Sequence, residues 1–271
     1  MLAIKNNIMS ANAARHLGQS YDDLAQSVER LSSGLRINSA KDDAAGLAVR
    51  ELMRADIAVL QQGARNALDG ISMLQTFEGA MGTIDEALVR MKQLAEQAAT
   101  GSYSSAQRGI MNNEFSEMAA EINRIAGATA FNGNTLLNSA TATISIQFGE
   151  ATTDKIDIIG TDMTSSALSL NTASIGSVAS AQSALATVST AITTKDTARA
   201  AFGYKMNRLE STISVINNQA ENLMAAESRI SDVDVATEMA AMTRTQVLAQ
   251  AGVAMLAQAN TMPQMALSLL R

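Results

Sequence analysis

LGQSYDDLAQSVERLSSGL (residues 17–35) and TQVLAQAGVAMLAQANTMPQMALSLL (residues 245–270) decide the reading of this chain. In the first, Leu17, Tyr21, Leu24, Val28, Leu31 and Leu35 follow one another at alternating steps of four and three. In the second, Leu248, Gly252, Met255, Ala259, Met262, Ala266 and Leu269 keep the same alternation. That spacing lays a narrow apolar stripe along a helix, the seam of a coiled coil. Two such seams at opposite ends predict that the terminal helices run side by side, with the rest of the chain as one excursion between them. The second stretch also carries no charge, so it is expected to pack against further copies of itself rather than face water.

Composition agrees with a helical chain. Of 271 residues only three are Tyr, five Phe and none Trp, so the large rings that usually fill a globular core are scarce. Sixteen Met supply flexible gap-filling side chains instead, and the single Pro, Pro263, leaves long helices uninterrupted before the last segment. A net charge of −6 argues against nucleic acid, which requires a basic face. The absence of cysteine removes disulfides, thiolate catalysis and Cys-based metal sites together. Residues 245–270 are long enough to cross a bilayer, but Gln246, Gln250, Gln258, Asn260, Pro263 and Gln264 recur through them, so membrane insertion is not expected. The first residues lack the charge and cleavage pattern of a Sec signal peptide.

Ser39 with Asp42 reads as a capping box opening a helix that continues to Gly101, a rod of roughly 90 Å at the standard rise. Gly63, Gly70, Gly79 and Gly82 each weaken such a helix by about 1 kcal/mol relative to Ala. A shorter helix is predicted over 105–127, then a tight turn at Phe131-Asn132-Gly133-Asn134. Alternation at Ile144, Ile146 and Phe148, and again at Ile156 and Ile158, predicts a β-hairpin around a loop at 149–154. The charge-free run 163–194 reads as loop passing into helix near residue 179, and the stripe from Met206 to Leu223 as another long helix. Ser231 with Asp234 forms a second capping box before the terminal helix, mirroring the joint at Ser39.

The expected architecture is therefore mainly α: an elongated antiparallel bundle of long coiled-coil helices, with a small β-hairpin region and paired N- and C-terminal helices. Residues 1–40 and 232–271 would form the terminal pair, 41–140 and 195–231 an outer helical bundle, and 141–194 the hairpin and a variable segment. The inventory offers no catalytic, cofactor or metal site. His16 is the sole histidine, and no HExxH, P-loop or dinucleotide fingerprint occurs. Asp42, Asp43, Asp232 and Asp234 sit where caps and the helix dipole explain them. The methionines of the C-terminal stretch could line a peptide-binding groove, but packed seam positions account for them more simply.

LSSGLRINSAKDDAAGLAV (31–49), FNGNTLL (131–137), RISDVDVATEMA (229–240) and MALSLLR (265–271) together closely resemble bacterial flagellin. The similarity covers about 1–138 and 199–271, with the centre departing. It implies a short flagellin that polymerises into the flagellar filament, its termini folding together on assembly into the innermost helical layer. Filament assembly would then rest on Leu17, Leu24, Val28, Leu31, Leu35, Leu248, Met255, Met262 and Leu269. The resemblance also implies other copies of the chain, an export chaperone at the C-terminal region, cap and hook-junction proteins, and the flagellar type III export apparatus as partners. It places the protein outside the cell, in the filament. LVRMKQLAEQ (88–97) is similar to the stretch that the vertebrate Toll-like flagellin receptor reads, with Arg90, Leu94 and Glu114 matching and Val89 and Gln93 departing from the commonest form. Two other readings share the motifs or the helices: a hook–filament junction protein, and a secreted coiled-coil effector that does not polymerise. A flagellin carrying a metalloprotease in its centre is set aside, since no histidine follows His16.

Overall fold

The computed structural model describes residues 6–268, with side chains through Met262. Among these residues five helices and one two-stranded sheet follow in the order α1 (Ile8–Ser33), α2 (Ala44–Ala99), α3 (Ser105–Ala128), β1 (Thr143–Gln147), β2 (Lys155–Ile159), α4 (Val178–Ser231) and α5 (Val235–Ser268). The chain is mainly α, as its spacing predicts. It divides into two compact units, one holding both chain ends (1–55 and 221–271) and one holding 56–220, with α2 and α4 contributing to each.

The unit over 56–220 has a continuous apolar core. Leu74, Phe77, Met81, Ile84, Leu88 and Met91 form the buried face of α2, at alternating steps of three and four. Phe115 and Ile122 of α3, and Ala184, Val188, Ala191 and Phe202 of α4, close over it. α2 and α4 run antiparallel: Arg199 reaches Glu78 at 3.0 Å, and Lys195 reaches Asp85 at 2.5 Å. Lys195 is itself buried, and Asp196 holds its ammonium from a second side at 2.7 Å. Burial pushes that ammonium down, but the hydrogen bonds and charges of the two carboxylates prevail and leave its pKa raised.

Ser104 caps α3, and Gln107 returns the bond to complete a capping box. Asn132 and Gly133 both take positive φ, so Phe131 and Asn134 close the tight turn the Asn-Gly pair announces. The hairpin register sets Ile144 opposite Ile158 and Ile146 opposite Ile156, with these isoleucines on the face packed to the core. α2 passes so close beneath the hairpin that a methyl group on Gly63 would run into the Phe148 carbonyl. Residues 160–177 have no regular strand or helix, but α3 ties them down. Asn123 accepts from Ser165 N at 2.7 Å, and Asn112 accepts from Ile175 N at 2.8 Å.

Candidate functional site

In the unit of the two chain ends, α1 and α5 pair antiparallel. Asn7 Nδ2 donates to the Ala259 carbonyl at 2.7 Å, Ser10 Oγ to Asn260 Oδ1 at 2.8 Å, and Arg30 lies 3.8 Å from Glu238. Between these ends Leu17 rests over Gly252, where an added Cβ would stand 3.1 Å from Leu17 Cδ1. The covered residues of α1 are Ser10, Ala13, Leu17, Ser20, Leu24, Ser27, Arg30 and Leu31. On α5 they are Glu238, Ala241, Met242, Thr245, Ala249, Gly252, Leu256, Ala259 and Met262. Apart from Arg30 and Ala241, both sets advance by steps of three or four; they share Leu17, Leu24, Leu31, Gly252, Ala259 and Met262 with the stripes read from apolarity and differ in the rest. Ser20 and Ser27 take the places expected for Tyr21 and Val28; Ala249 and Leu256 take those expected for Leu248 and Met255. Of these, Ser20, Ser27 and Ala249 are small and let the two backbones approach closely, while a serine hydroxyl can still bond within its own helix. Ser20 Oγ does so, donating to the His16 carbonyl at 3.0 Å.

The large apolar residues displaced from the seam face outward. Val28 is 50% exposed, Leu248 53% and Met255 62%; Tyr21, Met9, Met239, Val247 and Val253 accompany them. Of the residues predicted for filament assembly, Leu17, Leu24 and Leu31 thus hold the pair together, while Val28, Leu248 and Met255 have no cover in the single chain. Leu35 and Met262 are half-buried, and Leu269 lies outside the described residues. Val, Leu and Met exposed in such number on a pair of helices make the kind of surface that a protein, membrane or ligand contact buries.

The two joints that bracket the pair are fastened to each other. Arg36 N donates to the Ser231 carbonyl at 2.6 Å and Val233 N to the Gly34 carbonyl at 3.0 Å, forming an antiparallel bridge between Leu35 and Asp232. Arg36 Nη2 adds a bond to the Ile230 carbonyl at 2.7 Å. Gly34 permits this by ending α1 with φ of +74°, a left-handed cap disfavoured for other residues. Both expected capping boxes are displaced as a result. Asp43, not Ser39, caps α2 by accepting from Gly46 N at 2.8 Å, and Asp234, not Ser231, caps α5 by accepting from Ala236 N at 3.0 Å. The extended residues needed for the bridge push each helix start further along. Asp42 turns back to accept from Ser39 N at 3.0 Å and from Asn38 N at 3.2 Å. Ser39's backbone bond is the main cause that holds the Asp42 carboxyl below the usual range; for Asp234 the Thr237 hydroxyl is the main cause.

Away from the pair, Arg90 Nη2 meets Glu114 Oε1 at 2.7 Å on an exposed surface formed by α2 and α3. Leu94, one turn along α2 from Arg90, is buried. His16 is exposed, and no cluster of carboxylates and histidine suited to a metal ion occurs among the described residues. No helix among them is long and apolar enough to cross a membrane.

Comparison with known proteins decides the family. The profile described as the bacterial flagellin N-terminal helical region matches residues 4–142, and that of the C-terminal helical region matches 185–270. This chain belongs to the bacterial flagellin family. It is similar to a flagellin of Halalkalibacterium halodurans, 42% identical over 272 residues that span 100% of both chains. It is 40% identical to the flagellar filament 33 kDa core protein of Treponema phagedenis, again over 100% of each chain. The crystal structure of Bacillus cereus flagellin superposes with a TM-score of 0.51 at 34% identity, covering 60% of this chain and 94% of that one. In this flagellin the two matched regions contain both terminal helices and both joints. The hairpin, the loop 160–177 and the first turns of α4 lie between them.

Proposed function

We propose that the paired terminal helices are the polymerisation element of this chain. As a flagellin it is a structural subunit of the bacterial flagellar filament. The observation that carries the proposal is the outward face of α1 and α5, whose valines, leucines and methionines find no partner within one chain. Burying a residue such as Leu248 against a neighbour stabilises the contact by about 1.5–3 kcal/mol. The lack of charge from 245 to 270 favours the same role, since an unpaired buried charge between subunits would be costly. Residues 1–40 and 232–271 then form the inner layer of the filament, 41–140 with 195–231 the layer outside it, and 141–194 its exposed part. A face on one copy meeting a different face on the next gives an open helical path, hence a fibre.

Leu248→Asp tests the proposal directly. The variant should fold and keep the α1–α5 seam, because Leu248 lies outside it, yet fail to lengthen filament seeds in electron micrographs. Seeded growth at the parental rate would overturn it. Removing residues 245–271 should likewise leave a chain that does not elongate.

Export through the flagellar type III apparatus, a chaperone on the C-terminal region, a filament cap and a location outside the cell accompany this role. The role is structural rather than catalytic. Recognition by a host Toll-like receptor is favoured by one feature, the exposed ion pair of Arg90 and Glu114. Leu94, buried one turn along α2, would act by shaping that surface. Arg90→Ala should weaken receptor signalling more than filament growth; equal signalling would remove this reading.

A further inference from the structure

The methionines of this chain are sorted by exposure between its two units. Among the described residues, the four that lie open to solvent are Met9 at 64%, Met224 and Met239 at 44% each, and Met255 at 62%, all within residues 6–55 and 221–268. The four that are fully covered, Met73, Met81, Met91 and Met163, all belong to 56–220. With no cysteine in the sequence, thioethers are the readily oxidised sulfur groups available. The exposed ones on α1 and α5, Met9, Met239 and Met255, all lie outside the α1–α5 seam; Met255 is seven residues from Leu248 on the same flank of α5, and Met239 lies on the other flank.

We infer that Met9, Met239 and Met255 form an oxidation-sensitive site that governs assembly, its reagent a peroxide. In the reaction the thioether sulfur attacks the peroxide and the O–O bond breaks. One oxygen stays as the sulfoxide, the other leaves as water, and the sulfur has lost two electrons. A flexible apolar side chain becomes a polar one with a strong acceptor oxygen. In the single chain the change costs little, since all three side chains already face water. It weighs on the step that buries them, because a sulfoxide pressed into an apolar contact loses its hydrogen bonds to solvent. The described methionines of the α1–α5 seam, Met242 and Met262, are half-buried and so less open to the reagent. Assembly and oxidation therefore compete for the same side chains: a free chain can be oxidised, and an assembled one is shielded.

This inference rests on the proposed role of the outward face, and the experiment separates the two. Purified monomer is treated with dilute hydrogen peroxide, mapped by peptide mass spectrometry, and added to filament seeds. Sulfoxide should form first at Met9, Met239 and Met255, with Met73, Met81, Met91 and Met163 spared, and seeded growth should slow by about tenfold or more. The two methionine sulfoxide reductases together should restore it. A chain carrying Met9→Leu, Met239→Leu and Met255→Leu should grow at one rate with or without peroxide. Growth of the oxidised parent at its untreated rate, oxidation of the covered methionines first, equal slowing of the triple variant, or failure of the reductases to restore growth would each overturn the inference. Leu248→Asp, assayed without peroxide, reports on the outward face alone. If it elongates normally, that earlier reading fails whatever peroxide does.

Discussion

Replacing Gly63 by alanine sets two physical effects against each other within one helix. Helix propensity favours the change, because glycine in a helix interior is less stable than alanine by about 1 kcal/mol. The hairpin opposes it. A Cβ at Gly63 would collide with the carbonyl, and then the Cα, of Phe148, which are backbone atoms that no rotamer change can move aside. The hairpin would have to lift, at a typical overpacking cost of about 1–3 kcal/mol. It would also stretch the bond from Asn66 Nδ2 to the Gln147 carbonyl, now 2.9 Å, whose loss costs about 1 kcal/mol more. Opposition outweighs propensity, so Gly63→Ala should destabilise the unit over 56–220 by about 1–3 kcal/mol. Gly79, in the same helix with nothing within 4 Å of where its Cβ would stand, is the control. Gly79→Ala should stabilise by about 1 kcal/mol. Urea unfolding of both variants, with amide exchange at β1 and β2 as a local probe, reads the difference. If Gly63→Ala matches or exceeds the parent in stability, the close approach of α2 to the hairpin is wrong.

Ser27 is buried in the α1–α5 seam and Val28 is exposed beside it. Ser27→Leu should therefore destabilise the pair by about 1–3 kcal/mol, while Val28→Thr should stay within about 0.5 kcal/mol, both measured by amide exchange along α1. Lys195→Met replaces a buried cation by an apolar chain of similar length and should be close to neutral in urea. Asp85→Ala leaves the buried ammonium with Asp196 alone and should be the more damaging of the two. Asp234, with its carboxyl held below the ordinary 3.8 by the Thr237 hydroxyl, has a folded pKa under its unfolded one. Its stabilisation is complete above the unfolded value and lost as pH falls through the depressed one. Protection of the first α5 amides should therefore decline below pH 3.8, and Asp234→Asn should flatten that decline.

Much of the site could be read from residues alone, because local rules suffice for it. The three-and-four spacing gives helices at both ends, alternation gives the hairpin, and the Asn132-Gly133 turn follows from which residues accept positive φ. The bridge between Leu35 and Asp232 had one signal, Gly34 beyond a run of helix, but nothing local names its partner almost two hundred residues away. Without that bridge, local capping rules point to helix starts at Ser39 and Ser231, whereas the helices begin after Asp43 and Asp234.

Period and apolarity therefore determined that the termini are helices with faces to bury, and the chain's motifs placed it among the flagellins. Tertiary structure decided which stripe serves which purpose. Neighbouring stripes on one helix share the same repeat and differ by a rotation of about 100°, so spacing cannot say whether Ser27 or Val28 meets the partner helix. The separation of two backbones settles it, and close approach selects Ser20, Ser27, Ala249 and Gly252. Tyr21, Val28, Leu248 and Met255 are left facing outward.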